Sequence, residues 1–170
     1  MRRSYVLAIA ASLAASALHA QATNPLIGES KTAYNSVKGY LTRAAAAMPE
    51  EFYSYKPTPD IRTFGELLAH IADHQTRYCS MAVGTPKQGT AASKTTKADL
   101  VAALAASFVE CDAAWNSLTD DNITTMVGQR SKLGTLLLDV THSNEEYGYM
   151  SLYFRLKGLV PPSSDRSGAR

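Results

Sequence analysis

Four stretches of about 20 residues carry apolar side chains at every third or fourth position, and none alternates β-branched residues with a period of two. That pattern confines the chain to the all-α class and points to a four-helix bundle. The first stretch runs from Glu29 to Met48, with Tyr34, Val37, Leu41, Ala44, Ala45 and Met48 on one stripe, and Pro49 stops it. Residues 52–59 read as a loop, because Pro57 and Pro59 force extended backbone before them. The second helix begins near Arg62 or Thr63, where Thr63 and Glu66 have capping-box spacing, and ends near Val83. The third spans Lys97 to Leu118 and the fourth Ser131 to Lys157, with Gly158 suited to its C-terminal cap and Pro161-Pro162 barring continuation.

The connection over residues 84–96 constrains topology. It is about 13 residues long, more than the roughly 2–8 residues usual between bundle neighbours. Extended, 13 residues reach about 43–47 Å, and a 20-residue helix is about 30 Å long. The loop can therefore traverse the bundle, making helices 2 and 3 parallel and the order up-down-down-up. Cys79 and Cys111 then lie at heights differing by about 4–5 Å, against about 16 Å if those helices were antiparallel. The first offset suits a disulfide, which needs Cα atoms within about 7 Å. The alternative is two buried free thiols.

The N-terminus is read separately. Arg2 and Arg3 precede an apolar run from Tyr5 to Leu18, and Ala20-Gln21-Ala22 has the small-x-small form of a signal-peptidase site, with the cut after Ala22 or Ala20. The run is shorter than the 18 or so residues of a membrane span. Residues 1–22 are thus expected to be a signal peptide and the protein to be exported, periplasmic or secreted, with no membrane contact after cleavage. Residues 23–162 form one domain and 163–170 a disordered tail. The whole chain carries a net charge of +2, and removing the leader takes two arginines and no acids, leaving zero. No basic excess remains to favour nucleic acid.

Three histidines follow the leader. His70 and His74 are one turn apart on helix 2, and His142 and Glu146 one turn apart on helix 4, with Tyr149 and Tyr153 continuing that face. Such spacing on facing helices suits a divalent metal in a bundle. The alternative is that these are ordinary solvated positions. At about 100° per residue, His142 and Glu146 sit nearly opposite the apolar stripe of helix 4, so a ligand set there lines a groove or rim rather than the bundle axis. Leu138, Tyr149, Tyr153 and Leu156 flank that face, which predicts burial on two sides or a partner.

Several stretches together resemble the DinB family: Tyr55-Lys56-Pro57-Thr58-Pro59, the run from Arg62 to Ala72, His142-Ser143-Asn144-Glu145-Glu146-Tyr147-Gly148, and the ending from Tyr153 to Pro162. The resemblance covers about Asn24 to Pro162. It implies an up-down-down-up bundle, often a homodimer, holding a divalent ion such as zinc or nickel with three histidines. One family histidine matches His70 and a second matches His142, but the third falls on Glu146. Two histidines and a carboxylate can still bind a divalent ion. Otherwise His74 supplies a substitute nitrogen, or the site is degenerate and empty. The implied activity is a thiol-dependent transfer or a hydrolysis on a small-molecule substrate or thiol. Glu146, if not a ligand, would be a general base, and Tyr149 and Tyr153 would line the pocket. The competing expectation is a non-catalytic exported bundle, a binding or stress protein that has lost its metal.

Overall fold

The computed structural model describes residues 24–166; the candidate signal peptide and the last four residues lie outside them. Four helices make the body: α1 (Pro25–Ala47), α2 (Phe64–Ala82), α3 (Lys97–Asn116) and α4 (Lys132–Leu156). Each starts where its sequence supplies a cap. Asn24, Thr63, Thr96 and Ser131 each accept a backbone N–H of the first turn, and at α2 the Glu66 carboxylate reciprocates on the Thr63 N–H at 2.7 Å. At the end of α4, Gly158 takes φ +71° and Leu159 N–H reaches back to the Phe154 carbonyl, a Schellman closure that a Cβ would strain.

The helices run up-down-down-up, as the long crossover predicts. Gln75 pairs with Ser107 and Cys79 with Cys111, so α2 and α3 are parallel. His74 meets Asp139, and Tyr153 reaches the Arg62 carbonyl, so α2 and α4 are antiparallel. Lys31 bonds Asn116 while Lys97 bonds the carbonyls of Ala46 and Met48, so α1 and α3 are antiparallel too. The crossover runs back along α2. Ser80 Oγ accepts from Lys87 N–H, and the Asp73 carboxylate accepts from the backbone N–H groups of Ala91 and Ala92 in a short 3-10 turn.

The core is one cluster, with Trp115, Phe64, Phe154, Leu41, Leu68, Leu104, Leu136 and Met150 fully enclosed. Truncating one of these leucines to alanine is worth about 2–5 kcal/mol at such a site. A buried polar bridge crosses it. Ser107 Oγ donates to Gln75 Oε1 at 2.7 Å, and Gln75 Nε2 lies 3.4 Å from Ser143 Oγ, tying α3, α2 and α4 together.

One detail differs from the sequence expectation. Residues 123–130 carry no helical or alternating pattern and read as irregular, yet β1 (Met126–Val127) and β2 (Arg130–Ser131) pair antiparallel across a turn at Gly128, φ +67°. Two residues per strand are too few to reveal alternation. Past α4, Ser163 N–H donates to Tyr147 Oη at 2.8 Å, and Ser164 N–H donates to the Pro161 carbonyl. No described helix is long and apolar enough to cross a membrane.

Candidate metal centre

The antiparallel pairing of α2 and α4 sets His70 and His142 at one height. Their Nε2 atoms are 3.0 Å apart. Glu146 lies one turn beyond His142, and its Oε1 is 3.4 Å from His142 Nε2 and 3.6 Å from His70 Nε2. Three donor atoms from two helices thus form a small triangle. Atoms each about 2.0–2.2 Å from one ion at near-tetrahedral angles stand about 3.3–3.5 Å from each other, close to the sides of this triangle.

The protonation states suit that use. Burial holds His142 down to about 4, with the charges of His74, His70 and Arg62 adding to it. Burial, then Arg62, lowers His70 as well. Both rings are therefore neutral near pH 7, as ligating imidazoles must be. Glu146 is buried, and that burial raises its carboxyl above the usual range. Its Oε2 has no hydrogen-bond partner, so no protein donor compensates the carboxylate except the two imidazoles beside Oε1. A buried carboxylate so weakly compensated is costly, and a divalent cation in the triangle would offset that cost. The residues therefore fit a divalent ion. One support is missing: His142 Nδ1 is buried without an acceptor, whereas ligating histidines usually donate their other N–H to a fixed partner.

The ordinary-surface alternative for this face does not describe α4. His142 is half-buried and Glu146 buried, because α4 packs on both α1 and α2. His74 stands outside the triangle. Its Nδ1 is 3.0 Å from Asp139 Oδ1, and its ring stacks on that of His142. Tyr153 is buried and donates to the Arg62 carbonyl; Tyr149 is half-exposed and donates to Glu145. Both tyrosines line, with Glu146, a groove of about 690 Å³ that opens to solvent.

Cys79 and Cys111 are joined in a disulfide, with Cα atoms 4.9 Å apart. Asp139 Oδ2 lies 3.8 Å and 3.9 Å from the two sulfurs. The bond leaves no thiolate there to ligate a metal.

Two residues near the site escape the sequence reading. Asp139 is 1% exposed and burial raises its carboxyl, with the His74 contact pulling it back down. Its signal was present: a lone acid inside Leu136-Leu137-Leu138-Asp139-Val140, one turn before His142. Arg62 faces the site through its charge on His70, His142 and Glu146, and nothing in its spacing announces this, since the Tyr153 contact that places it spans 91 positions.

Bundle and donor set define an α-helical protein with a candidate divalent-metal centre between its second and fourth helices. Residues 33–150 match the model of the DinB superfamily, and the chain belongs to that superfamily. No curated protein matches the chain.

Proposed function

We propose that this chain is a divalent-metal-dependent enzyme acting on a small molecule, by thiol-dependent transfer or by hydrolysis. One observation carries the proposal: His70 Nε2, His142 Nε2 and Glu146 Oε1 converge within 3.6 Å of one another beside an open groove. When bound there, a divalent ion supplies Lewis acidity and lowers the pKa of a coordinated water or thiol. The chain's own residues do the rest. The two imidazoles hold lone pairs at neutral pH, because burial resists their protonation. Glu146 brings the negative charge that favours a cation. Tyr149, Leu152 and Leu156 wall the groove and limit water around a bound substrate.

Elemental analysis of the purified protein tests this. About one divalent ion per chain is expected, lost in His70→Ala and in His142→Ala. Failure of every added divalent ion to bind sinks the proposal.

A second reading has its own support. The unpartnered His142 Nδ1, and a glutamate where the family pattern carries histidine, favour a non-catalytic bundle with a relaxed site. That reading expects no bound ion. Under either reading we propose export, supported by the basic, apolar and small-x-small segments of residues 1–22 and by a disulfide of the kind kept in oxidising compartments.

A further inference from the structure

We infer that the groove beside the ligand triangle takes an amphiphilic monocarboxylate, its carboxylate on the Arg62 guanidinium and its apolar body along Ile61, Leu152 and Leu156. This names a substrate class for the site proposed above, and its catalytic meaning rests on that reading. Arg62 lines two cavities at once, the 690 Å³ groove that contains Glu146 and a neighbouring one of about 560 Å³ that contains His70. It therefore stands where both open toward the triangle. The root of the residue is fixed: its carbonyl accepts from Tyr153 Oη, and Thr63 beside it begins the capping box. Its guanidinium makes no hydrogen bond or ion pair among the described residues.

Two of the four acids lining these cavities are engaged elsewhere. Glu66 holds the Thr63 N–H, and Asp73 holds those of Ala91 and Ala92. A planar guanidinium left free in this way matches a carboxylate in bidentate fashion. Charge limits the ligand to no more than a single negative charge. Among the described residues lining the larger groove, Arg62 is the one cation, against Asp60 and Glu146, so a phosphate dianion meets repulsion. The apolar part follows from exposure: Ile61, Leu152 and Leu156 are 42%, 55% and 58% exposed on adjoining walls of one groove, and adjoining exposed apolar side chains mark ligand sites.

Calorimetric titration with octanoate and with its uncharged counterpart octan-1-ol tests the inference, on EDTA-treated and zinc-treated full-length protein. Octanoate should bind the EDTA-treated protein about tenfold or more tighter than octan-1-ol. That preference should vanish in Arg62→Gln and return in part in Arg62→Lys, both exposed substitutions whose folding circular dichroism can verify. Equal binding, no octanoate binding at millimolar concentration, or a preference that survives Arg62→Gln overturns the inference. So does a preference seen only after zinc treatment, which would put the carboxylate on the ion. An Arg62-dependent preference in a protein that retains no metal upholds the anion site while the enzyme reading fails. Retained metal without the preference does the reverse.

Discussion

The His74 ring lies flat on the His142 ring, centroids 3.6 Å apart and planes 9° apart, while Asp139, one turn before His142 on α4, holds its Nδ1. His74 thus buttresses a ligand without being one of the three converging donors. His74→Ala should keep about one zinc per chain but weaken zinc affinity by about tenfold, as the loss of an outer support does. His70→Ala should abolish binding. Zinc titration with a competing chelator checks both, and loss of stoichiometry in His74→Ala would make His74 a ligand.

The same contact has a stability side. Asp139 is enclosed by α2, α3 and the disulfide, so removing its imidazole partner strands a buried carboxyl. His74→Phe preserves a flat ring but not the hydrogen bond, and should cost about 2–4 kcal/mol in urea unfolding. In the double variant with Asp139→Ala that cost should largely disappear. Additive losses across the cycle would show that the two side chains are uncoupled.

The Cys79–Cys111 bond joins parallel helices across a sequence separation of 32. Closing a loop of that length should stabilise the fold by about 3–4 kcal/mol in the chain-entropy account. Thiol titration of the denatured, unreduced protein should find no free thiol. Cys79→Ala/Cys111→Ala should unfold at correspondingly lower urea, and two titratable thiols per chain would remove the bridge.

Acid should weaken the metal-free fold through His142. Its folded value is about 4 against an ordinary 6.5, so between those values the unfolded chain binds a proton that the folded one refuses. Stability is then lost as pH falls through that window, by about 2 kcal/mol once its partial exposure is allowed for. Glu146 and Asp139, both raised by burial, act in the opposite sense above the usual carboxyl range. The comparison with His142→Gln isolates the histidine: the stability gap between wild type and variant should narrow from pH 7 to pH 4.5. Parallel pH curves would contradict it.

Local signals wrote most of this fold into the sequence. Thr63 with Glu66, Pro49 and Gly158 mark helix ends by chemistry confined to a turn, so spacing alone locates them. The crossover length, combined with the heights of Cys79 and Cys111, extends that legibility to topology. The site is legible where its members are one turn apart, as His142 and Glu146 are. It ceases to be where placement depends on contacts between helices. The same i,i+4 spacing treats His70 and His74 alike, yet one ring enters the triangle and the other turns to Asp139, a carboxyl 65 positions away. The second covered side of α4 is legible in part: Leu138, Tyr149, Tyr153 and Leu156 beside the His142 face predict burial on two sides, and α4 packs on both α1 and α2.

Gly89 offers a test of how the crossover holds its course. The loop passes so close to α2 that a Cβ at Gly89 would lie 2.1 Å from Asp73 Oδ1 and 2.5 Å from Asp73 Cα. The second contact is with helix backbone, which cannot rotate away as a side chain could. Gly89→Ala must therefore push the loop outward, and in doing so pull Ala91 and Ala92 from the carboxylate that accepts their N–H groups. Overpacking together with two weakened charge-assisted hydrogen bonds should cost about 2–4 kcal/mol. Because α3 begins a few residues on, amide exchange should quicken across residues 85–96 before it does in α4. Asp73→Ala should reproduce the faster exchange without the steric clash. Wild-type stability in Gly89→Ala would mean that the crossover does not lean on α2 at this point.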